Sequence, residues 1–571
     1  MFKRPKPRFL AMTFSLLSVL ILLLSACGAT GTPTSSSSNN GKPVKGGTWV
    51  DDIPSGPGSL LPNGSDTTYS VALDQVLYAP LFYGDDLGHI HAGIAQDIPT
   101  VANGGASADL KTWTFKLRPN LKWSDGQPLN ADDLEFTFKL YNNPKFGAKF
   151  TTGFQDITSM DVSSDKLSLT MHLDKPIGPF VPLFVDANPG APLPKHVFQN
   201  TAPEQILKTP DNQLPSVVNG PFIVKKDGTT PQQQYTFVRN PNYYMASEGL
   251  PYLDQIVFRV VDDPNTILKD AQAGQINSSW FIDVSKVDAY KSASNYTVTS
   301  DKVSAGYEAL WMNQNNPALK DVNVRKAIAM AIDQQKLITT ARAGLAKPLC
   351  TDHPASLVPG YQADAPCPKY DIAAANTVLD QAGWVKGSDG VRAKNGLRLD
   401  FKYTTTLLGW RKTDQLIVHD ELQQIGIKTT LVNTPGSTFF GSVLPQGKPG
   451  TYDIAEYEQT YTYDADDSST LSKAGIPSAA NSFGGQNYAF WSNPQAETLF
   501  NKELSTNDPV VRQDAFNQLH QIYLTEYPFI TEYAPINASV VKNGTHNYAP
   551  GPMGAQETVN VWNWWCDGGK C

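Results

Sequence analysis

The sequence predicts a mixed α/β protein of two lobes, and three observations carry that expectation. Early segments alternate apolar and polar residues with period two. The middle of the chain shows helical stripes, each followed by a short strand-like run. A strand-rich stretch then returns from Tyr527 to Val541. At 571 residues the chain exceeds one ordinary domain of roughly 150 residues. No internal repeat recurs at a fixed period.

The elements follow in chain order. Thr112 to Arg118 places Trp113, Phe115 and Leu117 on one face and Thr114, Lys116 and Arg118 on the other, a strand with one buried face. Lys166 to Leu173 alternates in the same way through Leu167, Leu169, Met171 and Leu173. Between them, Asn130 can cap a helix carrying Leu134, Phe138 and Tyr141. Further on, Val324, Ile328 and Ala331 share a helical face. Asp371 can cap a helix with Ala375, Val378, Leu379 and Ala382 inward, which Gly383 ends. Val418, Leu422 and Ile425 form another stripe, stopped by Gly426, and Ile427 to Val432 reads as a strand. Asn493-Pro494 and Asp508-Pro509 are both cap-plus-first-turn signals, the second opening a helix with Phe516, Leu519 and Tyr523 inward.

Composition narrows the function. The chain has 46 Lys+Arg against 54 Asp+Glu, a formal charge of −8, and no basic block, so nucleic acid is a poor partner. With 40% hydrophobic residues the chain can build a large core. Lys3, Arg4, Lys6 and Arg8 precede an apolar run from Phe9 to Leu24, and then comes Leu24-Ser25-Ala26-Cys27. This pattern resembles a bacterial lipobox, in which Cys27 is lipidated and becomes the first mature residue. A spanning helix is the alternative, but the run is shorter than the ~20 residues a span needs. Removal of residues 1–26, with their four cations, would take the charge from −8 to −12. Residues 27–45 read as a flexible tether rich in Gly, Ser, Thr and Asn.

Lipidation of Cys27 leaves four cysteines, an even number that outside the cytoplasm favours two disulfides. Three connectivities exist, of which Cys350–Cys367 with Cys566–Cys571 is the simplest. A zinc site is the rival, but no C-x-x-C spacing occurs and only His353 lies nearby.

Catalytic signatures are mostly absent: neither G-x-S-x-G nor H-E-x-x-H occurs. Ser163-x-x-Lys166 leads into a strand instead of opening a helix. Gly441 to Lys448 has the wrong spacing for a phosphate loop, and Pro449 replaces its Ser/Thr. His89-x-His91 shows no third ligand in sequence reach, so no metal site and no cofactor is expected. Aromatic rings beside carboxylates and amides are abundant, as in Glu456 to Asp464, and suit a ligand held between lobes.

Several collinear segments together resemble the solute-binding proteins of peptide-type ABC importers, the oligopeptide- and dipeptide-binding family. They are Trp113-Thr114-Phe115-Lys116-Leu117-Arg118 with Trp123-Ser124-Asp125-Gly126-Gln127-Pro128-Leu129, then Asn219-Gly220-Pro221-Phe222 with Arg239-Asn240-Pro241-Asn242-Tyr243-Tyr244. Leu310-Trp311-Met312-Asn313 follows, with Asp321 to Ile328 and Ala331-Ile332-Asp333. The resemblance spans about Gly46 to Val540. It implies a periplasmic-binding-protein-like fold of type II, cluster C-like, whose two α/β lobes are joined by a two-strand hinge, with a small domain inserted in the first. The first lobe would comprise 46–77, 186–305 and 528–571, the insert 78–185 and the second lobe 306–527.

The same resemblance implies a non-enzymatic, monomeric receptor lipid-anchored on the extracytoplasmic face of the membrane. It would close on a peptide or similar solute and hand it to importer permease subunits. Sugar, metal-chelate or other solutes, a sensing role and a secreted hydrolase are the alternatives. In peptide-binding members an Asp in a loop of W-x-x-D-Y-x-x-P type pairs with the peptide amino terminus. Asp464 matches that anchor and Asp467 the second acidic position, with Tyr461 and Tyr463 flanking. Ser468 replaces the usual Pro, and Ala465 the common aromatic.

Overall fold

A computed structural model describes residues 41–301, 304–354, 360–362, 365–461, 463–464, 466–481, 483, 485–551 and 557–571. Cys27 and the tether up to residue 40 lie outside the described residues. The first lobe begins with β1 (Thr48–Ile53), a member of a seven-stranded sheet.

The chain then leaves that sheet. β2 (Phe82–Gly84) and β3 (Thr112–Lys116) come first, followed by α1 (Ala131–Tyr141), β4 (Ile157–Val162) and β5 (Ser168–Leu173). β5 pairs antiparallel with both β3 and β4 in a separate three-stranded sheet. Trp113, Phe115 and Leu117 are buried and Lys116 is exposed, as the alternation requires. Asn130 closes a capping box with Asp133 at the start of α1. Leu134, Phe138 and Tyr141 point from this helix into an aromatic core.

The first sheet resumes with β6 (Phe222–Val224), β7 (Gln234–Arg239), β8 (Gln255–Val260), β9 (Ser278–Ser279) and β10 (Tyr296–Ser300). β8 lies parallel to β1, which requires the long excursion between them.

The second lobe follows with β11 (Gly306–Met312), α2 (Val322–Ala331), β12 (Ala346–Lys347), α3 (Ile372–Gln381) and β13 (Asp400–Thr405). Next come α4 (Gly409–Gln424), β14 (Lys428–Asn433), β15 (Ile454–Thr460), α5 (Pro494–Leu504), α6 (Pro509–Glu526) and β16 (Phe529–Pro535). Its sheet has the order β12-β16-β11-β15-β13-β14. Asp371, Asn493 and Asp508 each accept backbone N–H groups as helix caps. On α3, Ala375 and Leu379 are buried, whereas Val378 and Ala382 are only half-buried.

β17 (Ala538–Lys542) returns to the first sheet between β9 and β10. The chain therefore crosses between the sheets twice, between Ser300 and Gly306 and between Pro535 and Ala538. The Asp301 N–H donates to the Asn537 carbonyl at 3.0 Å, joining the two crossings. The return expected at 528 comes later, because β16 pairs antiparallel with β11 inside the second sheet. Its alternation marks a strand but carries no information about which sheet receives it.

Cys350 and Cys367 are at disulfide distance with Cα atoms 4.8 Å apart, as are Cys566 and Cys571 at 5.3 Å. The C-terminal segment packs on the first lobe. Trp564 is fully buried with its ring centroid 4.8 Å from that of Trp49, and Cys571 closes against Gly47 at the entry to β1. Among the described residues no helix is long and apolar enough to cross a membrane.

Candidate functional site

β15 delivers the loop that carries Asp464 and Asp467. At its start Tyr461 is buried, its ring parallel to that of His353 at 5.1 Å between centroids. The Tyr461 hydroxyl donates to Asp467 Oδ1 at 2.6 Å, and the Tyr523 hydroxyl from α6 donates to Oδ2 at 3.0 Å. Burial and the nearby Asp352 carboxyl push Asp467 well above the usual carboxylate range. Asp467 and Tyr461 thus hold the base of the loop. Asp467 is itself buried, with the two ring hydroxyls on its carboxyl oxygens.

Asp464 is also buried, and Oδ1 accepts from Arg512 Nη2 at 2.5 Å. The same Nη2 donates to Glu503 Oε2 at 2.8 Å. Arg512 lies on α6 and Glu503 at the end of α5, so two packed helices bring both partners to the loop. Burial raises Glu503, and the charges of Asp464 and Asp466 add to that rise. Asp466, whose carboxyl accepts the Ser468 N–H, is pushed up to about 6 by burial. Asp464 and Glu503 therefore share one guanidinium, Asp466 lies in the same loop, and burial raises both Glu503 and Asp466 above the usual carboxylate range.

Tyr463 carries the loop across to the other lobe. Its hydroxyl sits so close to Gly84, at the end of β2, that a methyl group there would overlap it. The Gly84 N–H donates to Asp186 Oδ1 at 3.3 Å. A second bridge runs from the Gly178 N–H to the Leu504 carbonyl at 2.8 Å. The four residues singled out in the sequence therefore divide into two supports, Tyr461 and Asp467, a buried charge, Asp464, and a contact between lobes, Tyr463.

His89 and His91 do meet a third group: Asp85 Oδ2 lies 3.1 and 3.0 Å from their rings. Both histidines are exposed. Sequence reasoning missed Arg512 and Glu503, which no local motif flags. Cap-plus-helix signals placed α5 and α6, but only their packing shows that these two polar side chains face the loop.

Comparison with known proteins gives this architecture a family. A model of the bacterial extracellular solute-binding proteins, family 5 (middle part), matches residues 96–478. The chain belongs to this family. Among its curated relatives, the oligopeptide-binding protein AppA of Bacillus subtilis (strain 168) is 26% identical over 577 residues. That match covers 97% of this chain and 98% of the relative. The structure of AppA from Bacillus subtilis in complex with a nonapeptide superposes with a TM-score of 0.82 at 22% identity, covering 92% of this chain and 100% of that one. NikZ from Campylobacter jejuni in complex with Ni(L-His) superposes with a TM-score of 0.78 at 22% identity, covering 90% and 99%. Family 5 binding proteins share this two-lobed mixed α/β fold, and their members are solute-binding proteins.

Proposed function

We propose that this family 5 protein captures peptides between its two lobes, with Asp464 as the partner of the peptide's amino group. The observation that carries the reading is the buried pairing of Asp464 and Glu503 with Arg512, at a loop whose Tyr463 touches the opposite lobe. An arriving ammonium would share Asp464 with Arg512 and draw a proton off Glu503. The added cation offsets the charge that burial otherwise disfavours. Closure about the two crossings would then be favoured by the ligand's own contacts with both lobes.

Calorimetry tests the anchor as a double-mutant cycle. A free-amine peptide and its N-acetylated form are each titrated into the parent and into Asp464→Asn. The expected loss on acetylation is about 2 kcal/mol or more for the parent, about 30-fold in affinity, and much less for the variant. Independent losses would remove Asp464 from the amine site. The proposal further includes a lipid anchor on Cys27 on the extracytoplasmic face and delivery of the solute to an ABC importer. Cys27→Ser should release the body from membranes, and unchanged membrane fractionation after cleavage would overturn the anchor.

A further inference from the structure

Behind the ligand loop lies a second polar cluster that the proposed binding function does not use. Asp352 and His353 follow Cys350 in the chain, and His520 projects from α6. All three are fully or almost fully buried. His353 Nδ1 and His520 Nε2 are 2.7 Å apart, and Asp352 Oδ1 lies 3.1 Å from the first and 3.0 Å from the second.

Among the described residues, hydrogen bonds satisfy this triangle only in part. His520 Nδ1 lies 2.9 Å from Gln362 Oε1; with the proton on Nδ1, Nε2 presents a lone pair to the cluster. A single N–H on His353 Nδ1 can serve only one of the other two corners. Neither Asp352 oxygen has a hydrogen bond of normal geometry among the described residues, although two ring nitrogens lie at contact distance. A point about 2.0 Å from all three donor atoms, the usual zinc–nitrogen and zinc–oxygen bond length, exists about 1 Å off their plane.

We propose that Asp352, His353 and His520 bind a divalent transition-metal ion, zinc by the chemistry of the donors. Two imidazoles and one carboxylate in a dry pocket are a common zinc donor set, and three protein ligands leave a fourth position. The outer partners fit. Gln362 holds the His520 tautomer, and His353 Nε2, which would then bear the proton, faces Asp467 Oδ1 at 3.9 Å. The ion would tie the segment beside the Cys350–Cys367 disulfide to α6. It would do so directly beneath Tyr461 and Asp467, stiffening the floor on which the ligand loop rests. The sequence concealed the site because His353 and His520 are 167 residues apart, and the only His-x-His spacing is the exposed His89–His91 pair.

The test is equilibrium dialysis of the full protein against micromolar Zn²⁺ followed by elemental analysis, with Co²⁺ absorption reporting the geometry. The parent and a His89→Gln/His91→Gln variant should each retain about one equivalent of zinc, and Co²⁺ should give the intense visible bands of a tetrahedral site. His520→Gln should lose the high-affinity equivalent. Gln362→Ala, at a half-buried position, should fold normally and bind about 10–100-fold more weakly. A chelator should lower the melting temperature of the parent but not of His520→Gln. The proposal is overturned if the parent retains no zinc, or if only the His89→Gln/His91→Gln variant loses it. It is likewise overturned if Gln362→Ala and His520→Gln bind as the parent does.

Discussion

The inserted unit and the second lobe differ in what they bury beside their apolar side chains. Around α1 the core is a cluster of rings: Phe184 lies 4.9 Å from Phe115, 5.1 Å from Phe138 and 5.5 Å from Phe154, and Trp113 lies 5.6 Å from Phe180. The second lobe also has an apolar core, with Leu310, Val324, Ile328, Leu379 and Leu422 buried in it, but beside that core it buries a set of carboxyl groups. Glu308 takes a two-pronged ion pair from Arg411 at 2.9 and 3.1 Å, Asp414 accepts from Tyr533 and Glu456 from Tyr403. Oxygens of Glu308, Glu456 and Glu532 approach within 4.8 Å of one another, and burial drives Glu456, Glu532 and Asp414 well above the usual range. The first core is held by shape and area alone, whereas the second adds to its apolar packing a balance between one guanidinium, ring hydroxyls and buried carboxyl groups.

That difference sets the largest effects. Phe184→Ala should cost about 3–5 kcal/mol, nearly independent of pH, because it only opens a cavity. Arg411→Met should cost a similar ~3–5 kcal/mol near neutrality by leaving Glu308 buried without its cation. Here the loss should shrink on acidification. Arg411 holds down Glu456, Glu532 and Asp414, so its loss moves their folded-state values further above the unfolded ones, and stability is kept below the unfolded values and lost as pH climbs through the folded ones. Chemical denaturation at two pH values distinguishes them, and an Arg411→Met deficit that is the same at both would break the comparison.

The parent protein carries the same signature. Glu557, buried behind β1 and accepting from the Tyr548 hydroxyl at 2.9 Å, is pushed up to about 7, and Asp466 to about 6. Both folded values exceed the unfolded ones, so their contribution is complete below about pH 4 and is lost towards about pH 7. Together this amounts to a few kcal/mol. The melting temperature should fall from pH 5.5 to pH 8, by less in a Glu557→Gln variant. A melting temperature that rises over that interval contradicts the protonated reading.

A smaller contrast concerns the cystines. Reducing Cys350–Cys367, which closes a 17-residue separation, should cost ~3 kcal/mol in the chain-entropy model. Cys566–Cys571 closes only five and should cost less by loop length. Its packing against Gly47 adds a local effect at the start of β1. Thiol alkylation of the non-reduced native protein checks the pairing, and four reactive thiols would refute it.

The two cores also show what a sequence reveals. Trp113, Phe115, Leu134 and Phe138 were readable because on this strand and helix the periodic apolar positions are the buried ones. Caps at Asn130, Asp371, Asn493 and Asp508 were readable because they are local. Glu308, Asp414 and Glu456 were not, since a carboxylate in a strand or helix ordinarily marks the solvent face. The site divides the same way. Asp464 stood out in a loop between recognisable segments, but Arg512 and Glu503 reach it only through the packing of α5 on α6. The sheet that receives β16 was hidden for the same reason, since pairing partners are distant in sequence.

On the proposed reading the two lobes hold a peptide whose amino group meets Asp464. Native mass spectrometry of the protein, purified without refolding and then incubated with a defined peptide mixture, tests it most directly. The account predicts one bound peptide per chain, lost on unfolding and sequenced by fragmentation, with free-amine members selected over N-acetylated ones. A chain that stays free of peptide throughout, or that retains only a species whose fragments contain no amino-acid residues, would contradict it.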